Sequence, residues 1–597
     1  MSRSLKILSP FLAALAPAAL IVSAASPRAA ASVKNPDTFV YATIGDTDSL
    51  DPAWAYDTAS HQVMEQIYEY LFAYKGAGVT PKDLIPQIAE KVPTAKNGLI
   101  SRDGLTYTLP IRKKVRFQDG STLTPEDVRY SLLRFMLFDR DGGPSSLLLE
   151  PILGLSSTRR DGKLLPDLYE KAAKAVTVEK DAVVIRLARP FAPFLTILPQ
   201  FGAIVSQAWC AAGGEWDGTG ETLAKHNNPQ RESSSLMDRA MGTGPYKLAR
   251  IDRKTNEIVL ERFDDYWRKP ARLKRVIIKK VDEFATRKLM LAAGDADSIY
   301  APQMYYNQLE NIPGVELIDG LTNLERSPMV FFTFQLNPVA NPNIGSGRLD
   351  GEGIPNDFFA DINVRKAFAY SIDYEAYIRD ITRGKGRHSA SFIPPGLIGH
   401  RQKGAGYSLD LKKAEEHFRK ALGGQAWEKG FKFSIVYNQG SAPAQAICQM
   451  IKRNVESLNP KFKIDVRTLQ WSSFLEQNQN KKTPVYVGAW QADFPDPHNF
   501  AFPLLHSAGY FPEKQGYKNP EMDALIDQAV RTLDAGKREK LYHKLQDLFY
   551  EDVPHILIAE GYRFRAHRSW VKGFVFNPMS PDTPYGRYYY DLRKEDQ

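Results

Sequence analysis

The chain has 597 residues, of which 43% are hydrophobic and 25% are charged, and its formal net charge is +9. These values are typical of a globular protein and exclude a disordered or fibrous chain. The basic residues form no run of five or six like charges, so we expect no nucleic-acid partner.

The N-terminal segment 1–31 is typical of a cleaved export signal. Arg3 and Lys6 give it a positive start, and residues 7–27 carry no charge. Small residues supply possible cleavage sites at Ser23-Ala24-Ala25 and Ala29-Ala30-Ala31. An uncleaved membrane anchor is the alternative, although two prolines interrupt the uncharged run. We expect cleavage, a net charge of +6 after loss of three basic residues, and a periplasmic protein without a lipid anchor, because no cysteine lies nearby.

Alternating apolar and polar residues predict strands over 38–43 and 105–111. The second strand follows the pair Asp103-Gly104, and another such pair, Asp119-Gly120, follows the short segment 115–117. Asp-Gly between alternating segments is typical of a tight turn, so we predict a hairpin at each pair.

Three helices are indicated by their start signals and apolar spacing. Thr124 can cap the first, and Pro125 suits its first position. Asn519-Pro520 opens the second. Its apolar residues recur at three- and four-residue steps: Met522, Leu525, Ile526, Ala529, Val530 and Leu533. A third helix follows with Leu541, Leu545 and Leu548 on its inner face.

Segment 337–356 is rich in Gly, Pro and Asn and shows little periodicity. We interpret it as a surface insertion between a strand over 330–336 and a helix over 364–372.

A series of short motifs runs along the chain. In order they are Ser49-Leu50-Asp51-Pro52, Gln66-Ile67-Tyr68-Glu69-Tyr70-Leu71-Phe72, Asp103-Gly104-Leu105-Thr106-Tyr107, Val115-Arg116-Phe117-Gln118-Asp119-Gly120, Gly242-Thr243-Gly244-Pro245-Tyr246, Asp265-Tyr266-Trp267, Gly294-Asp295-Ala296-Asp297, Asn363-Val364-Arg365-Lys366-Ala367 and Trp490-Gln491-Ala492-Asp493. Each motif alone is a weak signal. Together, in this order and over nearly the whole mature chain, they resemble the dipeptide- and oligopeptide-binding family of bacterial ABC importers, the family 5 extracellular solute-binding proteins.

The resemblance implies an α/β, two-lobed periplasmic-binding-protein fold with an extra subdomain inserted in the first lobe. Placed on this sequence, the first lobe takes 36–84, 206–305 and 550–597. The extra subdomain takes 85–205, and the second lobe takes 306–549. Two lobes joined by crossing strands can close as rigid bodies around a ligand. The implied role is to capture peptides and deliver them to a membrane permease, with no cofactor and as a monomer.

Asp493 is the strongest candidate for ligand binding. The family's amine-binding Asp lies three residues after a Trp, which here is Trp490. A buried ammonium needs a carboxylate partner, because an unpaired buried charge costs several kcal/mol. The competing interpretation is that Asp493 caps a turn before Pro495. Asp496, in contrast, is expected to start a helix.

The resemblance implies four further contacts of lower specificity. Trp471 matches a Trp that lines side-chain pockets, although core packing is the ordinary role of any Trp. Asn438 ends a predicted strand at the cleft, and Tyr56 lies near the edge of the first lobe's cleft. Trp490 is expected to form a neighbouring wall.

This sequence departs from the family at the other end of the ligand. Oligopeptide binders have an Arg three residues before the motif Trp, whereas this chain has Val487. Arg387 is a candidate for pairing with a ligand carboxylate, against the default of a surface Arg. The insertion 337–356 has no recognised family counterpart and could reshape the mouth of the cleft.

Two alternatives remain open on sequence grounds. The same fold serves non-peptide cargo such as oligosaccharide, opine, nickel or haem complexes. A secreted hydrolase is the alternative from another class, but the chain has no Gly-x-Ser-x-Gly, His-Glu-x-x-His or phosphate-loop motif. No histidine lies four residues from another, so we expect no metal site and no enzyme. Cys210 and Cys448 are expected to be two buried free thiols in different lobes.

Overall fold

The computed structural model describes residues 33–404, 406–532, 534–579 and 589–596. The predicted signal 1–31 and Leu533 therefore lie outside the described residues. Within these ranges, no helix combines the length and the apolar character needed to cross a bilayer.

A seven-stranded sheet forms the base of the first lobe. The predicted strand Thr38–Thr43 is confirmed and lies inside this sheet, parallel to both of its neighbours. The spatial order is Val315–Leu321, Arg563–Arg568, Ser298–Ile299, Thr38–Thr43, Arg275–Lys280, Glu257–Arg262 and Tyr246–Asp252.

A five-stranded sheet forms the base of the second lobe. Its spatial order is Phe462–Leu469, Phe431–Asn438, Val485–Gln491, Glu325–Phe332 and His555–Leu557. The first three strands are mutually parallel, and the last two pair antiparallel. Parallel strands end at one edge of a sheet, so Asn438 and the loop after Gln491 lie at the same edge.

Other strands form smaller sheets. Thr106–Pro110, Ala182–Arg186 and Val176–Glu179 form a three-stranded sheet in the region of the expected subdomain. The two-stranded ladders pair Phe72–Tyr74 with Leu84–Pro86, Arg159–Arg160 with Lys163–Leu164, Gly386–His388 with Ala559–Gly561, and Val571–Lys572 with Arg593–Lys594.

The α-helices cover both lobes. In the first half of the chain they are Thr58–Ile67, Pro125–Phe138, Ser146–Leu153, Leu168–Ala175, Phe194–Ile197, Gln207–Ala212, Gly220–His226 and Phe284–Ala293. In the second half they are Ile362–Tyr370, Tyr374–Ala376, Leu411–Lys420, Gln425–Lys429, Ala442–Leu458, Trp471–Gln479, His498–Leu505, Tyr510–Gln515, Pro520–Arg531 and Ala535–Asp552.

The predicted helix starts are confirmed. Thr124 caps Pro125–Phe138 in a capping box with Asp127. The Asn519 side chain accepts hydrogen bonds from the first amides of Pro520–Arg531. Both cysteines are buried and free, as expected.

Each predicted hairpin forms only as a tight turn with one antiparallel bridge, Ile100 with Tyr107 and Arg116 with Thr122. Each Asp-Gly pair does turn the chain, with Gly104 at φ 71° and Gly120 at φ 91°. Only single bridges flank them, however, and Thr106–Pro110 pairs instead with the distant strand Ala182–Arg186. A long partner strand offers five paired positions, which outweigh the short local contact.

The segment 337–356 is more deeply packed than a surface insertion. Ile344 and Ile354 are buried in the core, and the side-chain oxygen of Asn343 accepts a hydrogen bond from Arg467 at 2.6 Å. The flanking elements begin earlier than predicted, at Glu325–Phe332 and Ile362–Tyr370.

Two strands lie on the other side of the predicted lobe boundaries. Val315–Leu321 pairs with Arg563–Arg568 in the seven-stranded sheet, and His555–Leu557 pairs with Glu325–Phe332 in the five-stranded sheet. We propose that the chain changes lobe near 322–324 and again near 558–562.

Three of the short motifs meet at one buried carboxylate, Glu69. Its two oxygens accept hydrogen bonds from Trp267 Nε1 at 2.7 Å, Tyr266 Oη at 2.7 Å, Thr243 Oγ1 at 2.9 Å and Gln87 Nε2 at 3.2 Å. Four donors offset the cost of burying this group. These motifs therefore hold the first lobe together and do not form a ligand site.

The glycines of the motif 242–246 are required by close backbone approach. A Cβ on Gly242 would lie 2.3 Å from the Ile67 carbonyl oxygen. We expect Gly242→Ala to lower the free energy of unfolding by about 3 kcal/mol, because the backbone must shift to relieve the clash. Urea denaturation measures the change. Gly536→Ala, at a helical position with nothing closer than 3.7 Å, is the matched control and should be neutral or slightly stabilising.

Candidate functional site

Asn499 fixes the positions of Trp490 and Asp493. It lies in the first turn of His498–Leu505, and its side-chain oxygen accepts a hydrogen bond from the Asp493 amide at 2.7 Å. Its side-chain nitrogen donates to Asp493 Oδ2 at 2.9 Å, and its carbonyl accepts from Trp490 Nε1 at 2.7 Å. The Asp493 carboxylate is therefore held in one orientation at the end of strand Val485–Gln491.

Tyr56 reaches Asp493 from the other lobe. It precedes the helix Thr58–Ile67, for which Asp57 is the N-cap, and its hydroxyl donates to Asp493 Oδ2 at 2.9 Å. Its ring packs edge-on against Trp490, with ring centres 6.2 Å apart, and against Tyr510 at 5.8 Å. A direct hydrogen bond across the cleft places Asp493 where the two lobes meet.

The environment of Asp493 disfavours its charge. The residue is only 8% exposed, and burial raises the pKa of its carboxyl from 3.8 to about 7. The hydrogen bonds from Asn499 and Tyr56 lower that pKa only in part. Within the described part of the chain, its carboxylate forms no ion pair. Burial and the neighbouring carboxylate also raise the pKa of Tyr56, so its hydroxyl stays a donor.

An apolar chamber of about 350 Å³ opens on one side of the Tyr56–Asp493 pair. The strand segment 487–490 and Asn438 line this chamber. Its lining includes the aromatic side chains of Phe201, Trp471, Phe474, Tyr486, Trp490, Tyr510 and Phe511. Such a mostly apolar space with a few polar groups is typical of a small-ligand site.

A polar chamber of about 370 Å³ opens on the other side of the same pair. Both lobes contribute to its charged lining, which includes Asp139, Arg140, Asp141, Glu150, Arg159, His498 and Lys514. Four residues line both chambers, namely Tyr56, Asp493, Tyr510 and Lys514. Asp493 therefore lies on a shared wall and can contact a ligand in either chamber.

Five of the six predicted site residues come together. Tyr56, Asn438, Trp471, Trp490 and Asp493 all line the apolar chamber. Trp471 is half-buried and stacks on Phe474 with ring centres 5.8 Å apart.

Arg387 is not brought to this site. It lies in the ladder Gly386–His388, and its Nε donates to Glu560 Oε2 at 2.8 Å. Glu560 also pairs with the buried Arg326 at 3.1 Å. Arg387 lines neither chamber, because this ion-pair network holds it elsewhere. The insertion 337–356 also lines neither chamber.

Sequence reasoning missed Tyr510, Lys514, Arg140 and Asp57. Tyr510 and Lys514 lie on the short helix Tyr510–Gln515, which carries no family motif. Asp57 lines the apolar chamber next to the predicted Tyr56, and burial raises its pKa to about 6.

A family model for the bacterial extracellular solute-binding proteins, family 5, matches residues 83–512. Heme-binding protein A of Haemophilus influenzae is 25% identical over 574 residues, covering 94% of each chain. The dipeptide-binding protein of Escherichia coli is 26% identical over 561 residues, covering 91% of this chain and 92% of that relative.

Solved structures share the fold. The periplasmic binding protein DppA from Helicobacter pylori, in complex with the peptide STSA, superimposes with a TM-score of 0.73 at 22% identity. The match covers 94% of this chain and 98% of that one. The α/β periplasmic-binding-protein fold expected from the motifs is thereby confirmed. The match of the family model over most of the sequence shows that this chain belongs to the family 5 bacterial extracellular solute-binding proteins.

Proposed function

We propose that this protein captures short peptides by closure of its two lobes and delivers them to the permease of an ABC importer. The observation that carries the proposal is Asp493, a buried carboxylate without an ion-pair partner on the wall of an aromatic chamber. A ligand that brings an ammonium group to Asp493 would relieve the cost of burying its charge.

The surroundings of Asp493 suit a peptide N-terminus. Tyr56 and Asn499 orient the carboxylate, and the rings of Trp490 and Tyr510 lie close to it. Aromatic faces attract a cation, and their apolar surface accepts varied side chains. Water in a loose chamber can complete the contacts of smaller side chains.

The relatives support this choice without deciding it. One is named a dipeptide-binding protein, and one solved neighbour is described in complex with a peptide. Another relative is named for heme, so a haem complex is the alternative cargo within the same fold, together with opines, oligosaccharides and nickel complexes. Asp493 favours an amine-bearing ligand over an uncharged sugar.

In this proposal the protein acts outside the cytoplasm after cleavage of residues 1–31. It acts as a monomer and catalyses no reaction. The family is one of extracellular binding proteins. Within the described residues, no cluster of three His, Cys, Asp or Glu side chains is placed to hold a metal. A hydrolase would release cleaved product from a peptide panel, whereas a binding protein returns its ligand intact.

A thermal-shift screen tests the cargo. Di- to pentapeptides at about 100 times their Kd should stabilise the protein by about 3 kcal/mol. The same peptides with an acetylated N-terminus should give almost no stabilisation, because they lack the ammonium that pairs with Asp493. If haem, sugars or nickel chelates stabilise the protein and peptides do not, the cargo is not a peptide.

A further inference from the structure

Most of the charges in the polar chamber are paired within the protein. Arg159 pairs with Asp141 at 2.7 Å and lies 3.7 Å from Asp139. Glu150 pairs with Arg189 at 2.8 Å, and His498 lies 3.7 Å from Glu150. These groups balance one another and leave little charge to offer to a ligand.

Arg140 is an exception. Its guanidinium stacks over the Trp54 ring at 4.6 Å, and its Nε donates to the Trp54 carbonyl at 2.8 Å. Its Nη1 donates to the Asp141 carbonyl at 3.2 Å. Within the described residues it pairs with no carboxylate, and burial lowers its pKa. The negative charges of Asp48 and Asp57 partly oppose this lowering of the pKa. Because the hydrogen bonds of the guanidinium go to carbonyls, part of its donor fork stays available to a ligand.

Lys514 is the second exception, and it comes from the other lobe. Its Nζ lies 3.1 Å from the centre of the Tyr510 ring. Within the described residues it forms no ion pair, although the adjacent residue Glu513 also lines the chamber. Burial is the largest cause that lowers the pKa of Lys514 and Arg140 adds to it, while Tyr510 and Glu513 oppose the shift. Both cations line the polar chamber.

The loop that contains Arg140 approaches Lys514. Arg140 begins the loop 140–143, and a Cβ built on Gly142 in this loop would lie 3.7 Å from Lys514 Nζ. The same Cβ would lie 3.4 Å from Gln479 Oε1, which is also on the second lobe. Two desolvated like charges are brought together where the lobes meet, an arrangement that an anion between them would stabilise.

We propose that Arg140 and Lys514 bind the carboxylate of the peptide whose amine pairs with Asp493. This inference rests on the proposed function. The two cations supply the positive charge that Val487 cannot. They line the polar chamber, whereas Val487 lies on the strand that lines the apolar chamber. Since Lys514 and Asp493 lie on the same shared wall, the two charged ends of the ligand are bound in adjacent chambers, which selects short peptides.

The test compares free acids with amides. A panel of Ala-X dipeptides, each as the free acid and as the C-terminal amide, is titrated calorimetrically into the wild type, Arg140→Gln and Lys514→Gln. The wild type should bind free acids at least about 30-fold more tightly than amides, as expected for a desolvated charge pair. In each variant this ratio should fall about tenfold, while affinity for the amides changes less than about threefold.

Two matched controls remove cations that stack on rings outside both chambers. Arg239 lies 5.0 Å from the Trp209 ring, and Lys247 lies 5.8 Å from the Phe263 ring. Arg239→Gln and Lys247→Gln should keep the wild-type ratio. Arg140→Lys keeps a positive charge and should retain part of the preference, which separates ligand binding from a loss of packing on Trp54.

The outcomes separate the two claims. A wild type that binds acids and amides equally, or variants that keep the wild-type ratio, would overturn the assignment of Arg140 and Lys514 while peptide binding stands. A wild type that binds no member of the panel, and that no di- to pentapeptide stabilises in the thermal-shift screen, would overturn peptide binding itself, and this inference with it.

Discussion

Asp493→Asn should abolish peptide binding and at the same time make the ligand-free protein more stable at pH 8. The amide keeps the size of the carboxylate and can still accept hydrogen bonds from Tyr56 and Asn499. It cannot pair with an ammonium group, so affinity should fall at least about 100-fold. Isothermal titration with a bound peptide measures the loss.

The gain in stability follows from the raised pKa. The pKa of Asp493 is 3.8 in the unfolded chain and about 7 in the folded protein. Burial of its charge therefore lowers the free energy of unfolding most above pH 7. Below about pH 4 both states are protonated and the cost disappears. The neutral amide avoids this cost, and we expect the free energy of unfolding to rise by about 2 kcal/mol at pH 8, with a falling advantage towards pH 4.

Asp496→Asn is the matched control in the same loop. Asp496 pairs with Arg538 through two hydrogen bonds of 2.7 and 2.5 Å, and neither side chain is more than 13% exposed. Loss of this pair should lower the free energy of unfolding by about 3 kcal/mol. Changes of opposite sign in the free energy of unfolding, at two carboxylates three residues apart, would distinguish a binding residue from a structural one. Unchanged peptide affinity in Asp493→Asn would remove Asp493 from the ligand site.

The residues found from sequence share one property, which is proximity to a motif. Asp493 and Trp490 lie within one, and Tyr56 follows Ser49-Leu50-Asp51-Pro52. Asn438 ends a strand of the five-stranded sheet, and Trp471 follows the end of the neighbouring strand Phe462–Leu469. Motif spacing places such residues because strand ends meet at one sheet edge.

Arg140 and Lys514 could not be found in this way. They lie 374 positions apart in the sequence and line the same chamber only because of the fold. Their relevance depends on having no carboxylate partner, which is a property of the surroundings and not of the residue type. Arg387 shows the converse: its charge suited the role, but Glu560 holds it in another network.

The long-range strand partners could not be predicted for a related reason. Asp103-Gly104 and Asp119-Gly120 turn the chain as predicted, yet the choice of strand partner is set by distant residues 182–186. Likewise, the pairing of Val315–Leu321 with Arg563–Arg568 joins segments that no local pattern connects. Local chemistry determines turns and helix caps, whereas long-range pairing determines which lobe a strand joins.

Peptide affinity should depend steeply on pH, with a maximum between about pH 7 and 8. In the ligand-free protein the carboxyl of Asp493 has a pKa of about 7, and the bound ammonium must lower it. Below pH 7 binding therefore releases a proton, and affinity should fall about tenfold per pH unit, or about 100-fold at pH 5. Above pH 8 the free peptide amine loses its proton, so affinity falls again.

One substitution and one modified peptide assign the acidic and alkaline limbs of this pH profile. The pKa of Asp57 is about 6, and Asp57 lines the same chamber, so Asp57→Asn should leave the midpoint near 7 if Asp493 is responsible. A peptide with a trimethylated N-terminus cannot lose its charge, so it should keep the acidic limb and lack the alkaline one. Calorimetry in two buffers of different ionisation enthalpy should show about one proton released at pH 5.5 and almost none at pH 7.5. Affinity that stays constant from pH 5 to 7 would mean that the ligand charge is balanced by a group other than Asp493.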